Sequence, residues 1–429
     1  MRILFKNASV LCMKNARYEV CRHQFVSVCD HIISKIYDSY EDIKDKQNFD
    51  RVIDCHGNLL MPGFKNAHTH SAMTFLRSKA DEAPLNEWLN QVVFPAEAKL
   101  TEEDIYHLTK LAILEYIEGG ITSAFEMYLT PDSIAEAACD CKFRMTLTAG
   151  LNNFSQSVKE VIRWDESLNQ KNELIRFVPG FHAEYTCSKV LLEELSEYTK
   201  SKKRPVYAHI SETKSEVSGC IERYHQTPPE LFESLGLFDY GGGGYHCVHF
   251  MEHDYEIFKN HGLFAVTNPA SNLKLSSGIA SVSKFLEKGI PVAIGTDGPA
   301  SNNSLDFFKE MFLVSGLCKY VDNNPCSGAA NDILTMACAN GAYAMGVMNA
   351  TSVSEGMLAD LILIDLNKPN MRPLGNEIKN LVYSANKSNV TLTMINGEIV
   401  YENGSFYIGE DVEAIYEKAE RITKRILSE

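Results

Sequence analysis

The sequence has no uninterrupted apolar run long enough to span a bilayer. It also lacks an excess of basic residues, since 41 lysines and arginines stand against 56 aspartates and glutamates, a formal net charge of -15. This acidity argues against general affinity for nucleic acid or anionic membranes. The opening residues, Met1 to Asn7, reach a charged side chain too early for a secretory signal. We therefore expect a cytoplasmic protein that binds neither nucleic acid nor membranes.

Cysteine is too sparse for a disulfide framework, and the sequence has no Cys-x-x-Cys pair. The 12 cysteines are spread over 429 residues, and most lie in apolar segments, as do Cys12, Cys187, Cys318 and Cys338. This distribution is typical of reduced, buried thiols in a cytoplasmic protein. We predict that the cysteines pack in the interior and form no cross-links.

The middle of the chain, residues 57–355, alternates short apolar runs with amphipathic helical stretches. Apolar residues three and four apart over Asp104–Glu118, for example, indicate a helix. Eight strands separated by helices predict a (β/α)₈ TIM barrel. Gly241–Gly244 is interpreted as a flexible turn before the sixth strand. The predicted strands are Leu59–His70, Ile121–Tyr128, Arg144–Leu151, Arg176–Tyr185, Pro205–Ser211, Tyr245–Phe250, Leu263–Asn268 and Pro291–Asp297.

Both flanks of this region contain short alternating segments that are typical of β-strands. Asp360–Asp365 and Leu392–Ile395 are two of them, and Asn396-Gly397 indicates a hairpin turn. Neither flank can bury a core alone. We therefore predict that residues 1–56 and 356–429 form one small β-sandwich into which the barrel, residues 57–355, is inserted. An apolar stripe over Val412–Leu427 predicts a helix in this composite domain.

Two histidines in the segment Pro62–His70 are the first indication of chemistry. Side chains alternate along a strand, so His68 and His70 project to the same side, at a spacing suited to a divalent metal. Active sites of such barrels form where the carboxyl ends of the strands converge. A shared site is a better interpretation than isolated core histidines, because further predicted strands end in or near His182, His209 with Glu212, His246 with His249, and Asp297.

With these motifs, the sequence resembles the amidohydrolase superfamily and, within it, the aminohydrolase branch. It is most similar to the S-adenosylhomocysteine and 5'-methylthioadenosine deaminases, with the triazine chlorohydrolases nearby. The resemblance extends over nearly the whole chain, including the divided β-sandwich. The segments that resemble the family are Pro62–His70, Trp88-Leu89 with Phe94–Glu97, His209–Thr213, His246–His249, Asn268–Leu275 and Gly295–Ser304.

The resemblance implies one divalent metal, usually zinc with Fe²⁺ as the alternative, held by His68, His70, His209 and Asp297. Three neutral imidazoles and a carboxylate suit Zn²⁺ and leave a position for water. The metal would lower the pKa of that water from about 15.7 to about 7. The hydroxide would then attack a ring carbon of the substrate, and ammonia would leave.

The resemblance also implies three catalytic residues. Asp297 would accept the proton of the water, Glu212 would protonate the adjacent ring nitrogen, and His246 would orient the nucleophile and shuttle a proton. His249 is a second candidate for the role of His246, although we expect it to pack behind the site. Glu212 has an alternative interpretation as a solvated N-cap residue of the next helix.

The substrate contacts that the resemblance implies are Glu97, for ribose hydroxyls, together with His182, Glu212 and Trp88. Alternatives are a helix-surface carboxylate for Glu97 and a plain core residue for Trp88. The implied function is hydrolytic deamination of an adenine-type nucleoside, such as methylthioadenosine or adenosine, or of a related aminated heterocycle. A deaminase of a free base (guanine, 8-oxoguanine, a pterin or a triazine) and an inactive metal-binding scaffold are the alternatives. Analogy with relatives favours a homo-oligomer.

Two positions depart from the deaminase pattern. Ala149 stands where many S-adenosylhomocysteine deaminases have an arginine for the amino-acid carboxylate, and Arg163 is a candidate replacement. Ala183-Glu184 replaces the usual Ser-Pro after the histidine of strand four, and a buried anionic Glu184 would repel a carboxylate. Both departures favour a neutral or cationic ligand.

Overall fold

A computed structural model describes residues 1–44, 46, 48–79 and 87–427. The long first strand organises the amino-terminal part, because it pairs antiparallel with the second strand and parallel with two later ones. These strands are β1 (Arg2–Lys14), β2 (Arg17–Cys29), β3 (Ile32–Tyr37), β4 (Arg51–Asp54) and β5 (Leu59–Pro62).

The next strands form the predicted (β/α)₈ barrel, which is confirmed. They are β6 (Phe64–Thr69), β7 (Ile121–Tyr128), β8 (Arg144–Ala149), β9 (Ile175–Val178), β10 (Gly180–Ala183), β11 (Val206–Ile210), β12 (Gly242–His246), β13 (Phe264–Thr267) and β14 (Val292–Ile294). Parallel ladders join β6 to β9 and β10 to β14, and β9 and β10 are the two halves of the fourth strand. The His182 N–H donates to the Leu151 carbonyl (2.9 Å), and the Asp297 N–H donates to the His68 carbonyl (3.0 Å). These two hydrogen bonds connect the two runs of strands.

Helices separate the barrel strands and follow them. The α-helices are Phe94–Glu97, Glu102–Glu118, Pro131–Asp140, Val158–Ser167, Lys189–Lys202, Lys214–Tyr224, Pro228–Ser234, Glu252–Asn260, Pro269–Lys274, Val282–Glu287, Pro299–Asn302, Phe307–Val321, Ala330–Leu334, Gly341–Met345, Glu377–Tyr383 and Val412–Leu427. Trp88–Val93 and Thr335–Asn340 are π-helical, and short 3₁₀ turns cover Tyr40–Asp42, Ser71–Leu76, Leu168–Gln170, Glu184–Thr186, Pro369–Met371 and Lys387–Asn389. Within the described ranges, no helix combines the length and the apolar character needed to cross a membrane.

The last strands complete a sheet with the amino-terminal ones. They are β15 (Leu361–Ile364), β16 (Val390–Ile395), β17 (Glu398–Glu402) and β18 (Ser405–Phe406). All nine strands belong to one sheet, ordered β18-β17-β16-β15-β5-β1-β2-β3 with β4 paired to β1. Ile33 of β3 and Met394 of β16 share one buried apolar cluster, so amino-terminal and carboxyl-terminal strands of this sheet bury a common core. The predicted hairpin turn at Asn396-Gly397 is confirmed, with φ of 52° and 78°. The domain limits 1–56, 57–355 and 356–429 stay a prediction.

The predicted helix Val412–Leu427 is confirmed, and it packs on the barrel. Ile415 and Ile422 belong to the same apolar cluster as Ile105 and Leu108 of helix Glu102–Glu118. The Lys99 ammonium also donates to the Ile426 carbonyl (3.1 Å). The carboxyl-terminal segment therefore supports the barrel as well as the terminal sheet.

Most predicted barrel strands differ from the observed ones at their ends, and the differences at the first and sixth strands have a clear physical cause. The first strand is divided at Gly63, where an added Cβ would lie 2.1 Å from the Thr122 side chain. Its first half, β5, pairs with β1 and β15, and only its second half belongs to the barrel. The prediction of Gly241–Gly244 as a turn was wrong, because β12 begins at Gly242. A Cβ there would lie 1.9 Å from the Val206 carbonyl oxygen, so close backbone approach requires glycine inside this strand.

The prediction that all cysteines are reduced was wrong for one pair. Cys12 and Cys21 lie on the hairpin strands β1 and β2, with Cα atoms 6.7 Å apart, and form a disulfide. The other ten cysteines are free. Whether two cysteines meet across a hairpin depends on its register, which their spacing along the chain does not reveal.

A buried ion pair joins the barrel to the terminal sheet. The Arg144 guanidinium on β8 donates from Nε and Nη2 to the two Asp360 carboxylate oxygens, at 2.6 and 3.1 Å. The two side chains are 7% and 0% exposed. Asp360 also accepts a hydrogen bond from the Asn396 N–H (2.8 Å) at the β16–β17 turn. One carboxylate thus connects a barrel strand to a hairpin far away in sequence.

We expect Asp360→Asn to lower the free energy of unfolding by about 3–5 kcal/mol, because it leaves the Arg144 guanidinium buried without its counter-charge. Urea unfolding followed by circular dichroism measures the change. Glu398→Gln is the matched control, since Glu398 pairs with Lys142 (2.6 Å) between the same two parts but with both side chains about half exposed. The control should leave unfolding nearly unchanged. Equal effects of the two substitutions would contradict this role of the buried pair.

Candidate active site

The predicted catalytic residues lie where barrel strands end. The chain turns sharply there, and Ser211, His246, Cys247 and Asp297 have φ of 52°, 69°, 51° and 59°. A left-handed backbone costs non-glycine residues about 1–2 kcal/mol. Such conformations concentrate at functional sites, where the surrounding structure holds them in place. Here the residues in this conformation include His246 and Asp297, whose side chains line one cavity.

Three histidines and one aspartate converge at a buried point. Asp297 Oδ1 lies 3.5 Å from His68 Nε2 and 3.3 Å from His70 Nε2. His209 Nε2 lies 3.4 Å from His70 Nε2. Neither ring nitrogen of the fully buried His68 has a hydrogen-bond partner within the described part of the chain. Buried polar atoms normally have a bonding partner. The His68 ring therefore indicates that a further group binds between the four side chains.

The chemistry of the four side chains fits a divalent metal. Three imidazole nitrogens and a carboxylate oxygen are a ligand set that zinc prefers. Burial lowers the pKa of His68 to about 3, which keeps its imidazole neutral as a metal ligand must be. His68, His70 and Asp297 have donor atoms within 4.8 Å of one another.

Backbone carbonyls orient two of the histidines. His70 Nδ1 bonds to the Met127 carbonyl (2.5 Å), and His209 Nδ1 bonds to the His182 carbonyl (2.7 Å). Both rings therefore turn Nε2 towards the cluster, as is usual for metal-binding histidines whose other nitrogen is bonded.

Hydroxyl groups orient the aspartate. Asp297 Oδ2 accepts hydrogen bonds from Ser271 Oγ (2.5 Å) and Ser301 Oγ (2.9 Å). Oδ1 accepts only the Gly298 N–H (2.8 Å) among the described residues and faces the histidines. Both serines belong to segments that resemble the family, but the sequence alone assigned them no role.

His246 lies beside the cluster. With His68 and His209 it forms a second group of donor atoms within 4.8 Å of one another. Its Nδ1 bonds to Asn272 Oδ1 (2.7 Å), and its Nε2 lies 3.8 Å from Glu212 Oε2. His246 can therefore reach both the cluster and the carboxylate. His249 bonds through Nε2 to the Ser277 carbonyl (2.6 Å) and does not line the cavity.

Glu212 is buried and held in place. Its Oε1 accepts a hydrogen bond from Ser277 Oγ (3.0 Å), and the side chain lines the cavity. The interpretation of Glu212 as an N-cap residue was wrong, because Thr213 caps helix Lys214–Tyr224. Glu216 fixes the turn by accepting the N–H groups of Ser211 (2.7 Å) and Glu212 (2.8 Å). Sequence reasoning missed Glu216, which lies one helical turn beyond Glu212.

The cluster opens into a cavity of about 570 Å³. This size is within the range of small-molecule sites. The four predicted substrate contacts all line it, and they are Trp88, Glu97, His182 and Glu212. The apolar part of the wall includes Met73, Leu89, Val93, Phe94, Leu129 and Leu275.

The alternative for Glu97 does not hold, whereas Trp88 belongs to the buried apolar core and also lines the cavity. Glu97 is 8% exposed, so it is no surface carboxylate, and burial raises its pKa to about 7. Trp88 is 4% exposed, yet it lines the cavity, and its Nε1 has no partner among the described residues. His182 also lines the cavity, with Nδ1 bonded to Thr186 Oγ1 (2.9 Å).

Two expectations about charge were wrong. The Arg223 guanidinium donates to both oxygens of the Glu184 carboxylate, at 3.2 and 2.5 Å, and Glu184 does not line the cavity. Glu184 is therefore not an uncompensated charge beside the ligand. Arg163 lies at the surface, 60% exposed and bonded to Asp132 (2.9 Å), so it cannot serve the cavity. In both cases, a residue of opposite charge on a neighbouring helix pairs with the side chain.

Proteins of similar sequence extend over the whole chain. The 5-methylthioadenosine/S-adenosylhomocysteine deaminase of Caldicellulosiruptor saccharolyticus is 37% identical over 425 residues, which cover 99% of this chain and 98% of the relative. The protein of the same name from Acetivibrio thermocellus is 38% identical over 436 residues, with complete coverage of both.

Solved structures agree with the fold. The zinc-bound adenosine deaminase of Xanthomonas campestris superposes with a TM-score of 0.92 at 29% identity, covering 99% of this chain and 98% of that one. The atrazine chlorohydrolase of Arthrobacter aurescens has a TM-score of 0.89 at 19% identity, covering 98% and 100%, and thus shares the fold. The model of the amidohydrolase family matches residues 59–400. The chain therefore belongs to the amidohydrolase family, as its motifs predict.

Proposed function

We propose that this protein is a metal-dependent hydrolytic deaminase of an adenine-type nucleoside and releases ammonia. The names of the relatives and of the Xanthomonas campestris structure support this substrate class. The proposal depends on one observation above all. Three imidazoles and a carboxylate converge beside the buried Glu212, in a cavity of a size suited to a nucleoside.

The proposed metal ligands are His68, His70, His209 and Asp297, with one divalent ion per chain. Zinc is the first choice, and Fe²⁺ is the alternative. The zinc in the Xanthomonas campestris structure supports this choice. Such an ion acts as a Lewis acid and lowers the pKa of water in the site.

Glu212 is the proposed general acid. The Ser277 hydroxyl holds Oε1 and leaves Oε2 on the side of His246. From there the carboxyl group protonates the ring nitrogen next to the carbon that bears the amino group. Asp297 accepts the proton of the attacking water, and His246 carries a proton towards the leaving ammonia.

The remaining cavity residues bind the substrate in this proposal. His182 and Trp88 contact the nucleobase side, and Glu97 accepts hydrogen bonds from sugar hydroxyls. The buried position of Glu97 supports this role, because a carboxylate needs a partner there. We also propose a cytoplasmic location and a homo-oligomer, with no nucleic-acid or membrane partner. The acidic composition supports the absence of nucleic-acid and membrane partners.

We expect the purified protein to bind one equivalent of zinc, and His68→Ala to lose it, because the substitution removes a ligand from the buried centre. Inductively coupled plasma mass spectrometry of the purified variants measures the metal content. His246→Gln is the matched control, since His246 belongs to the alternative donor group. It should retain zinc. Loss of the metal in His246→Gln, with retention in His70→Ala, would assign the ion to the other group.

We expect Glu212→Gln to retain zinc and to lose turnover by about 10²–10⁴-fold, because the amide cannot donate the proton. Ammonia release from adenosine and methylthioadenosine measures kcat. Glu222→Gln, at an exposed position of the following helix, is the control and should keep full activity. Undiminished turnover of the Glu212 variant would remove this residue from its role.

We expect Glu97→Ala to lower kcat/KM for nucleosides by about 10–100-fold, because hydrogen bonds to a charged group contribute about 1.5–3 kcal/mol. The same substitution should change the rate with free adenine much less. Parallel assays with adenosine and adenine give the two ratios. Equal losses for both substrates would contradict sugar recognition and favour the free-base alternative.

A further inference from the structure

Four buried polar atoms in the cavity wall have no hydrogen-bond partner among the described residues. They are Trp88 Nε1, Glu97 Oε1, Tyr128 Oη and Gln156 Oε1. Their side chains are only 4%, 8%, 5% and 8% exposed, and all four line the same cavity. An unsatisfied buried polar group costs about 1–3 kcal/mol. Glu97 and Tyr128 lie close enough to interact with each other, so a ligand in the cavity is above all the natural partner of Trp88 Nε1 and Gln156 Oε1.

The amide of Gln156 has a fixed orientation. Its Nε2 donates to the backbone carbonyls of Tyr128 (3.2 Å) and Leu129 (2.9 Å) at the end of β7. Both bonds require the NH₂ group on that side, so the oxygen is left without a partner. An amide oxygen can only accept hydrogen bonds. Gln156 thus presents an acceptor to the ligand, as the Glu97 carboxylate does.

No lysine or arginine lines the cavity in the described part of the chain. Residues outside that part cannot supply one, because none of them is a lysine or an arginine. Three arginines elsewhere have acidic partners: Arg77 pairs with Glu115, Arg163 with Asp132, and Arg223 with Glu184. The described wall therefore offers the acceptor oxygens of Glu97 and Gln156, the neutral donors Trp88 Nε1 and Tyr128 Oη, and no side chain with a permanent positive charge.

We propose that Gln156, together with Glu97, determines specificity by rejecting ligands that have a carboxylate. A carboxylate beside these two side chains would lose its water, face the Glu97 carboxylate and the Gln156 amide oxygen, and find no cationic partner in the described lining, whereas hydroxyl and ammonium groups would donate hydrogen bonds to both. The inference rests on the proposed function. The relatives are named after two substrates, methylthioadenosine and S-adenosylhomocysteine. Because methylthioadenosine is neutral and S-adenosylhomocysteine has a carboxylate, the inference predicts that this protein prefers the first.

Four adenine nucleosides test the zinc-loaded protein directly. Methylthioadenosine is neutral, 5'-amino-5'-deoxyadenosine is cationic, and adenosine-5'-carboxylate and S-adenosylhomocysteine both have a carboxylate. We expect kcat/KM from ammonia release to be at least about tenfold higher for the first two than for the last two. Equal use of S-adenosylhomocysteine and methylthioadenosine would overturn the inference.

Two substitutions of Gln156 separate the effect of an added positive charge from the effect of a lost hydrogen-bond acceptor. In Gln156→Arg, the guanidinium can still donate to the Tyr128 and Leu129 carbonyls while it adds a positive charge. The ratio of kcat/KM for S-adenosylhomocysteine to that for methylthioadenosine should rise by about tenfold or more. Gln156→Met removes the acceptor without adding charge and should raise this ratio less than Gln156→Arg does. Equal changes in both variants would contradict the assigned role.

The failure of this inference can be distinguished from the failure of the proposed function. If none of the four compounds releases ammonia, the deaminase proposal fails. Dissociation constants for the same compounds, from isothermal titration calorimetry, then test the selectivity of the cavity by itself. Tighter binding of the two compounds without a carboxylate supports the inference, and equal binding of all four contradicts it.

Discussion

The hydrogen bond from the Asp297 N–H to the His68 carbonyl is the contact on which the rest of the structure depends. It joins the end of the eighth barrel strand to the first strand. The same two residues offer side-chain ligand atoms 3.5 Å apart. Ring closure and assembly of the candidate metal centre are therefore one event, and a barrel that failed to close there would also lack the site.

Contacts beside the site and at the opposite end of the barrel maintain this closure. Tyr245 stacks on the His68 ring, with centroids 3.8 Å apart, and so supports it from within the barrel. At the other end of the strands, the Arg144–Asp360 pair connects β8 to the terminal sheet. A buried ion pair as well as apolar contacts thus joins the barrel to the terminal sheet. These contacts hold the two terminal segments, which are far apart in sequence, against the barrel.

Much of the fold and of the site follows from local patterns. The alternation of strands and helices predicts the barrel, and the His-x-His spacing predicts that His68 and His70 share a centre. Other features depend on contacts between distant segments. The disulfide requires the register of the β1–β2 hairpin, and the neutralisation of Glu184 requires Arg223 on another helix. Residue type alone likewise did not reveal Gln156, whose role follows from the two carbonyls that orient its amide.

The position of His68 has a further consequence. His70, His209 and Asp297 line the cavity, whereas the His68 ring is fully buried behind them. An ion in this centre has to arrive and depart through the cavity side. A nucleoside seated in the same space obstructs that route, so occupancy by substrate slows exchange of the ion with the solution. Saturated protein should for this reason resist chelators longer than protein with an empty cavity.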